Sequence, residues 1–120
     1  MKQSLLKTGQ LKQELIKDYQ DINLQLFDIG TKEQRVDLLG KKIIIMTVHR
    51  RAPAIRALDQ KNREATRMFD ILLIDEFKVH FKRKLEEKYG FKVVTILKDY
   101  DPLTEQSATV VVLEHEVETY

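Results

Sequence analysis

The sequence predicts an α+β domain of order α-β-β-α-β-β, with four strands in a mainly antiparallel sheet and helices packed on one face. Three observations carry that prediction. Leu11, Leu15, Tyr19, Ile22 and Leu26 recur at spacings of three and four, the period of one apolar helix face. Two pairs of β-rich segments, Gln34–Leu39 with Lys42–His49 and Phe91–Asp99 with Ala108–His115, are each joined by a short turn region. Between the pairs lies a second helical pattern that continues to Tyr89. The chain thus makes two similar passes of helix, strand, turn and strand. No Gly- or Ser-rich linker separates them, so residues 1–120 are expected to form a single domain.

The first helix is expected from about Gln10 to Phe27, with Lys12, Lys17 and Asp18 on its wet side and Gly9 weakening whatever precedes it. Asp28-Ile29-Gly30 should end it, with Gly30 as a left-handed cap. Gly40-Lys41 is the turn of the first hairpin. In its second strand Ile43, Ile44, Ile45, Met46 and Val48 are apolar on both sides of the pleat, as in a central strand covered on both faces. Arg50-Arg51-Ala52-Pro53 makes a corner, and Pro53 suits a first helical turn, where its missing N–H costs nothing. Asp59 is a candidate cap for a fresh start, dividing a short turn from a long helix closed by Gly90. The long part, about 30 residues, would extend roughly 45 Å, more than the width of a small sheet. Asp101-Pro102-Leu103-Thr104-Glu105 is the second connecting loop, and Glu116 to Tyr120 reads as a frayed tail.

Composition excludes several classes. Leu, Ile, Val and Phe account for 39 of 120 residues, well above the roughly 20% that marks disorder. There is no cysteine, so disulfides, thiolate metal sites and cysteine nucleophiles are ruled out, and a cytoplasmic setting is expected. Met1 to Leu11 holds no continuous apolar run and no small-residue cleavage site, so no signal peptide is expected. The longest apolar runs are four residues, at Ile43–Met46, Ile71–Ile74 and Val110–Leu113, whereas a spanning helix needs about 20. No direct membrane insertion is therefore expected. Ser4 and Ser107 are the two serines, and neither is flanked by the glycines of a nucleophile elbow.

Two features predict a homodimer. One is the two-faced apolar strand. The other is the long helix, where Ala65, Phe69, Leu72, Leu73 and Phe77 form one face and Ile74, Phe81 and Leu85 carry it round by more than a third of a turn. The alternative is that two layers of one chain clasp the helix.

The net charge of +2 conceals an uneven distribution. Residues 41–67 carry eight basic groups against two acidic ones, and residues 101–120 carry five acidic groups and no basic one. The basic corner is the main candidate site. Arg50 and Arg51 lie where a strand hands over to a helix, and Arg56, Arg63 and Arg67 follow along one side of that helix. Guanidiniums and helix N–H groups together favour an anion or a phosphorylated ligand. The competing reading pairs these arginines with the acidic tail or with Asp59, Glu64 and Asp70. Nucleic acid is not expected, since no aromatic residue falls between Arg50 and Arg67 to stack on a base. Glu76 and His80, four apart inside the apolar arc, have the spacing of a two-ligand pair on a helix. Two ligands do not make a site, so a helical Glu–His contact or a polar pair at a dimer seam is the stronger expectation. Asp99 and Asp101 are too few oxygens for calcium and are better explained by turn formation. No catalytic residue, metal or cofactor is expected.

Several of these segments together resemble MpsC-like domains, small bacterial proteins linked to a sodium-translocating, membrane-potential-generating system. The resemblance begins with Tyr19, Ile22-Asn23 and Phe27-Asp28-Ile29-Gly30. It continues through the run from His49 to Asp59, then Asn62-Arg63, Thr66-Arg67, Asp70 and Glu76-Phe77-Lys78. It closes with Gly90-Phe91-Lys92-Val93 and Leu97-Lys98-Asp99-Tyr100-Asp101-Pro102, so it covers about Ile16 to Glu114. It implies a non-enzymatic accessory component with a membrane transporter subunit as partner, and no catalytic residue comes with it. The expectation is thus a dimeric accessory domain acting by protein contact; a small-anion binding module is the alternative.

Overall fold

The computed structural model describes residues 8–27 and 30–120. Helix α1 spans Thr8–Phe27, strand β1 Thr31–Leu39, strand β2 Lys42–His49, helix α2 Pro53–Lys61, helix α3 Arg63–Tyr89, strand β3 Val93–Asp101 and strand β4 Gln106–Leu113. A short 3-10 turn, Val117–Thr119, follows. The four strands form one antiparallel sheet of order β1-β2-β4-β3. The two hairpins therefore join through their second strands, which leaves β1 and β3 as edges. Both edges are irregular, β1 between Lys32 and Arg35 and β3 between Val93 and Thr95. Such bulges discourage pairing with a further strand.

Helices α1 and α3 pack on one face of the sheet. From α1, Leu11, Leu15, Tyr19 and Ile22 are buried, as their spacing predicts. From α3, Phe77, Phe81, Leu85 and Tyr89 are buried at steps of four. Tyr19 meets Phe77 and Phe81 edge-on, with ring centroids 4.9 and 5.8 Å away. Edge-to-face geometry suits the ring quadrupoles. The inward rows of the sheet change character along the strands. One row reads Leu38, Ile43, Val111 and Ile96; the next reads Val36, Ile45, Thr109 and Lys98; the third holds Thr47, Ser107 and Tyr100. The inner face thus passes from apolar to polar toward the end of β2.

Several boundaries correct the sequence reading. The break between α2 and α3 falls at Asn62, whose side chain accepts from the Ala65 N–H at 3.1 Å. Asp59 is not that cap, because its carboxylate is held by Arg51. Gly90 does take the left-handed conformation that closes α3, with φ 72°. Gly30 is not among the positive-φ residues, and Asp28 and Ile29 lie outside the described residues. Asp18 is buried rather than wet, accepting from the Tyr89 hydroxyl and from Lys88. The tail is packed rather than frayed: Val117 is buried, its N–H donates to Gly40 O at 2.9 Å, and Tyr120 lies edge-on to Phe91. The outward side chains of β2 (Ile44, Met46 and Val48) are half-buried, and among the described residues the helices α1 and α3 pack on the other face. The first half of α3 is the other departure. Between Arg63 and Glu76 only Thr66 is buried, and α2 has no buried residue at all.

Candidate functional site

The basic corner is built by a clamp that the sequence did not reveal. Glu105, in the left-handed region at φ 63°, ends the loop between β3 and β4. Its backbone carbonyl accepts from the His49 N–H at 2.8 Å. Its carboxylate accepts from the Arg51 N–H and from Arg56 at 2.9 Å. The β3–β4 loop thereby holds the end of β2 and the start of α2 together. The backbone N–H of Arg51, with Arg56 and Arg50 nearby, keeps the Glu105 carboxyl below its ordinary range.

The five arginines part ways in the fold. Arg51 is engaged on both sides, with Asp59 at 2.7 Å and Asp70 at 2.6 Å, and its guanidinium lies 5.7 Å from the centre of the Tyr100 ring. Burial opposes its charge, but the two carboxylates hold its pKa above the usual value. The hydrogen bond from Arg51 in turn lowers Asp59 to about 2. Arg63 shares Asp70 at 3.1 Å and Asp59 at 3.5 Å, and Arg56 takes Glu105. Arg50 and Arg67 are exposed, and neither side chain is hydrogen-bonded or ion-paired to a described residue. The partners of the corner are therefore Asp59, Asp70 and Glu105, while the final acidic residues lie at the far end, beside Gly40. Glu76 and His80 bond each other at 3.0 Å on an open stretch of α3. His49 is committed elsewhere, and His115 sits beside Tyr120. No group of three or more candidate metal ligands forms among the described residues.

Next to the corner a cavity of about 250 Å³ opens between the polar end of the sheet, the end of α1 and the first half of α3. Its inner wall carries Lys98, Ser107, His49 and Tyr100, and its outer wall is largely apolar, including Leu26, Phe27, Ile55, Phe69 and Leu73. The Lys98 ammonium donates to the Tyr19 hydroxyl at 2.5 Å, to Ser107 Oγ at 2.9 Å and to Thr109 Oγ1 at 3.3 Å. It also lies 4.5 Å from the centre of the Phe77 ring and 4.8 Å from that of Tyr19. Among the described residues no carboxylate is within ion-pair distance of it. Burial lowers the Lys98 pKa, with Tyr19 opposing the shift. Burial would raise the Tyr19 phenol, but the neighbouring ammonium brings it below its ordinary value. Tyr19 also contacts His49 Nε2 at 3.1 Å. Burial, helped by the Lys98 charge, depresses His49 to about 3. The imidazole is thus neutral at physiological pH.

None of Tyr19, His49, Lys98 or Ser107 was marked as a site residue by sequence reasoning. Tyr19 sits in a helical apolar stripe. Lys98 follows a stretch with apolar residues on both faces, Val93, Val94, Ile96 and Leu97, so its inward direction becomes visible only once Thr109 is known to be its neighbour. Polar residues at matching inward positions of three strands were the available signal, but the strand order is needed to line them up.

Among the described residues no helix is long and apolar enough to cross a membrane. No curated protein and no solved structure matches the chain. The family described as "Na+-translocating membrane potential-generating system (MpsC)" matches residues 7–115, nearly the whole length. With that coverage, and with the α+β architecture in place, the chain belongs to the MpsC family.

Proposed function

We propose that this chain is a non-enzymatic accessory component of the sodium-translocating, membrane-potential-generating system for which its family is named. It works in the cytoplasm as a homodimer, through protein contacts. The observation that carries this reading is the outer stripe of α3, where Met68, Phe69, Ile71 and Leu72 stand 43–60% exposed in a half of the helix that has little core beneath it. Contiguous apolar surface of that kind on a water-exposed helix is a mark of an interaction site. The molecule is also elongated, 49 Å by 23 Å by 22 Å. The uncovered side of the sheet, with Ile44, Met46, Val110 and the 57% exposed Leu97, offers a second apolar contact surface, suited to a membrane subunit of the system. The Glu76–His80 pair lies further along α3 and would give a dimer seam a polar contact.

Light scattering at tens of micromolar tests the dimer. The expected mass is twice the chain mass of 14.2 kDa, and Leu72→Glu should return a monomer with an unchanged circular dichroism spectrum. A wild-type monomer refutes the homodimer. Deleting the gene tests the accessory role: sodium-dependent membrane potential should fall and recover with the wild-type copy, and an unchanged potential refutes that half.

A second reading, binding of a small anion or phosphorylated ligand at the basic corner, is favoured by Arg50 and Arg67, whose charges no described carboxylate bonds. Inorganic phosphate should then bind wild type and lose affinity in Arg50→Ala. No binding to wild type removes this reading.

A further inference from the structure

The geometry points to a ligand site in the cavity beside Lys98, for a small monocarboxylate with an apolar body. This goes beyond the accessory reading, and its anchor, Lys98, is not one of the arginines of the basic corner, although Arg50 and Arg51 line the same cavity.

An ammonium removed from water needs a counter-charge or a full set of hydrogen bonds. Lys98 donates hydrogen bonds to Tyr19, Ser107 and Thr109, but meets no carboxylate among the described residues. Among the described residues, the cavity wall carries three cationic side chains, Arg50, Arg51 and Lys98, against the single carboxylate of Asp70, which Arg51 and Arg63 already occupy. Arg51 is held in turn by two carboxylates, so Lys98 is the deep cation whose charge no described carboxylate offsets. An incoming carboxylate would compete for the N–H now given to Ser107, the acceptor among the three that lines the cavity, leaving the bonds to Tyr19 and Thr109 in place.

The remaining wall chooses the body of the ligand. Leu26, Phe27, Ile55, Phe69, Leu73 and Ile74 surround the space above Lys98. A volume of about 250 Å³ holds roughly eight water-sized groups. A compact apolar chain with one charged end fits that space. A pocket with few convergent polar groups in an apolar lining is the usual form of a small-molecule site. A multiply charged phosphate would leave the apolar wall unsatisfied and would have one uncommitted deep cation to meet it.

Titration of the full chain with hexanoate, 1-hexanol and inorganic phosphate, followed by calorimetry and backbone NMR, tests this. Hexanoate should bind wild type at least about tenfold more tightly than hexanol, which corresponds to one charge-assisted contact. The largest shifts should fall at Lys98, Ser107 and Tyr100. Lys98→Met should abolish the preference for hexanoate over hexanol. Equal binding of the two probes to wild type, or no hexanoate binding, overturns the proposal. Phosphate binding that survives Lys98→Met but is lost in Arg50→Ala, with no hexanoate binding, places the anion at the basic corner and also overturns it. If Lys98→Met does not fold, the shift map and probe preference of wild type decide alone. A monomer that binds hexanoate refutes only the homodimer; a dimer that does not bind it refutes only this site.

Discussion

Lowering the pH should weaken the fold through His49 in particular. In the unfolded chain an imidazole titrates at about 6.5. In the folded chain burial and the Lys98 charge bring His49 down to about 3. Between those values the unfolded state takes up a proton that the native state refuses, so stability falls as pH falls. The contribution is fully present above the unfolded value and is lost progressively as pH drops toward the folded one. At about pH 5 the two values give a loss of about 2 kcal/mol relative to about pH 8. That is a large share of the roughly 5–15 kcal/mol that holds a domain of this kind together. The assay is urea unfolding at both pH values for wild type and His49→Gln. Glutamine cannot titrate, yet its amide oxygen can accept from the Tyr19 hydroxyl that now meets His49 Nε2 at 3.1 Å. Wild type should lose about 2 kcal/mol more than the variant between the two conditions. Equal pH dependence of the two proteins would refute the argument, because the remaining carboxylates and histidines are common to both.

Two further outcomes test the frame around the cavity. Phe77 is fully buried between Tyr19 and Phe81, so Phe77→Ala should cost about 3–5 kcal/mol in urea unfolding; a loss below about 1 kcal/mol would mean that α3 is not anchored there. Asn62 caps α3 through its side chain, so Asn62→Ala should cost about 1 kcal/mol and speed amide exchange at Ala65, whereas Asp59→Asn, which is not a cap change, should leave exchange at Ala65 alone.

Period and punctuation in the chain are enough to recover the elements. The stripe from Leu11 to Ile22 and the left-handed Gly90 depend on local geometry and lie where expected, while β1, β3 and β4 lie within three residues of the expected bounds. The helix break was misplaced because Asp59 and Asn62 are equally good caps locally; Arg51 takes Asp59 and leaves the role to Asn62. The tail looked frayed because five residues give no periodic signal, and only the approach of Gly40 and Phe91 gives Val117 and Tyr120 something to pack against.

The candidate sites divide in the same way. A cluster of arginines is legible from composition alone, and so is the pairing of Glu76 with His80, which one helical turn enforces. Which arginines remain open was decided by the fold, because Asp70 and Glu105 lie far along the chain from Arg51 and Arg56. The same holds for the cavity: its polar wall is assembled from β2, β3 and β4, and no stretch of sequence contains it. Local spacing determined the α+β framework and the imbalance of charge. Strand order and register, which depend on contacts between residues 28 to 79 positions apart, decided that Lys98 meets Tyr19 and that Tyr19 meets Thr47 and His49.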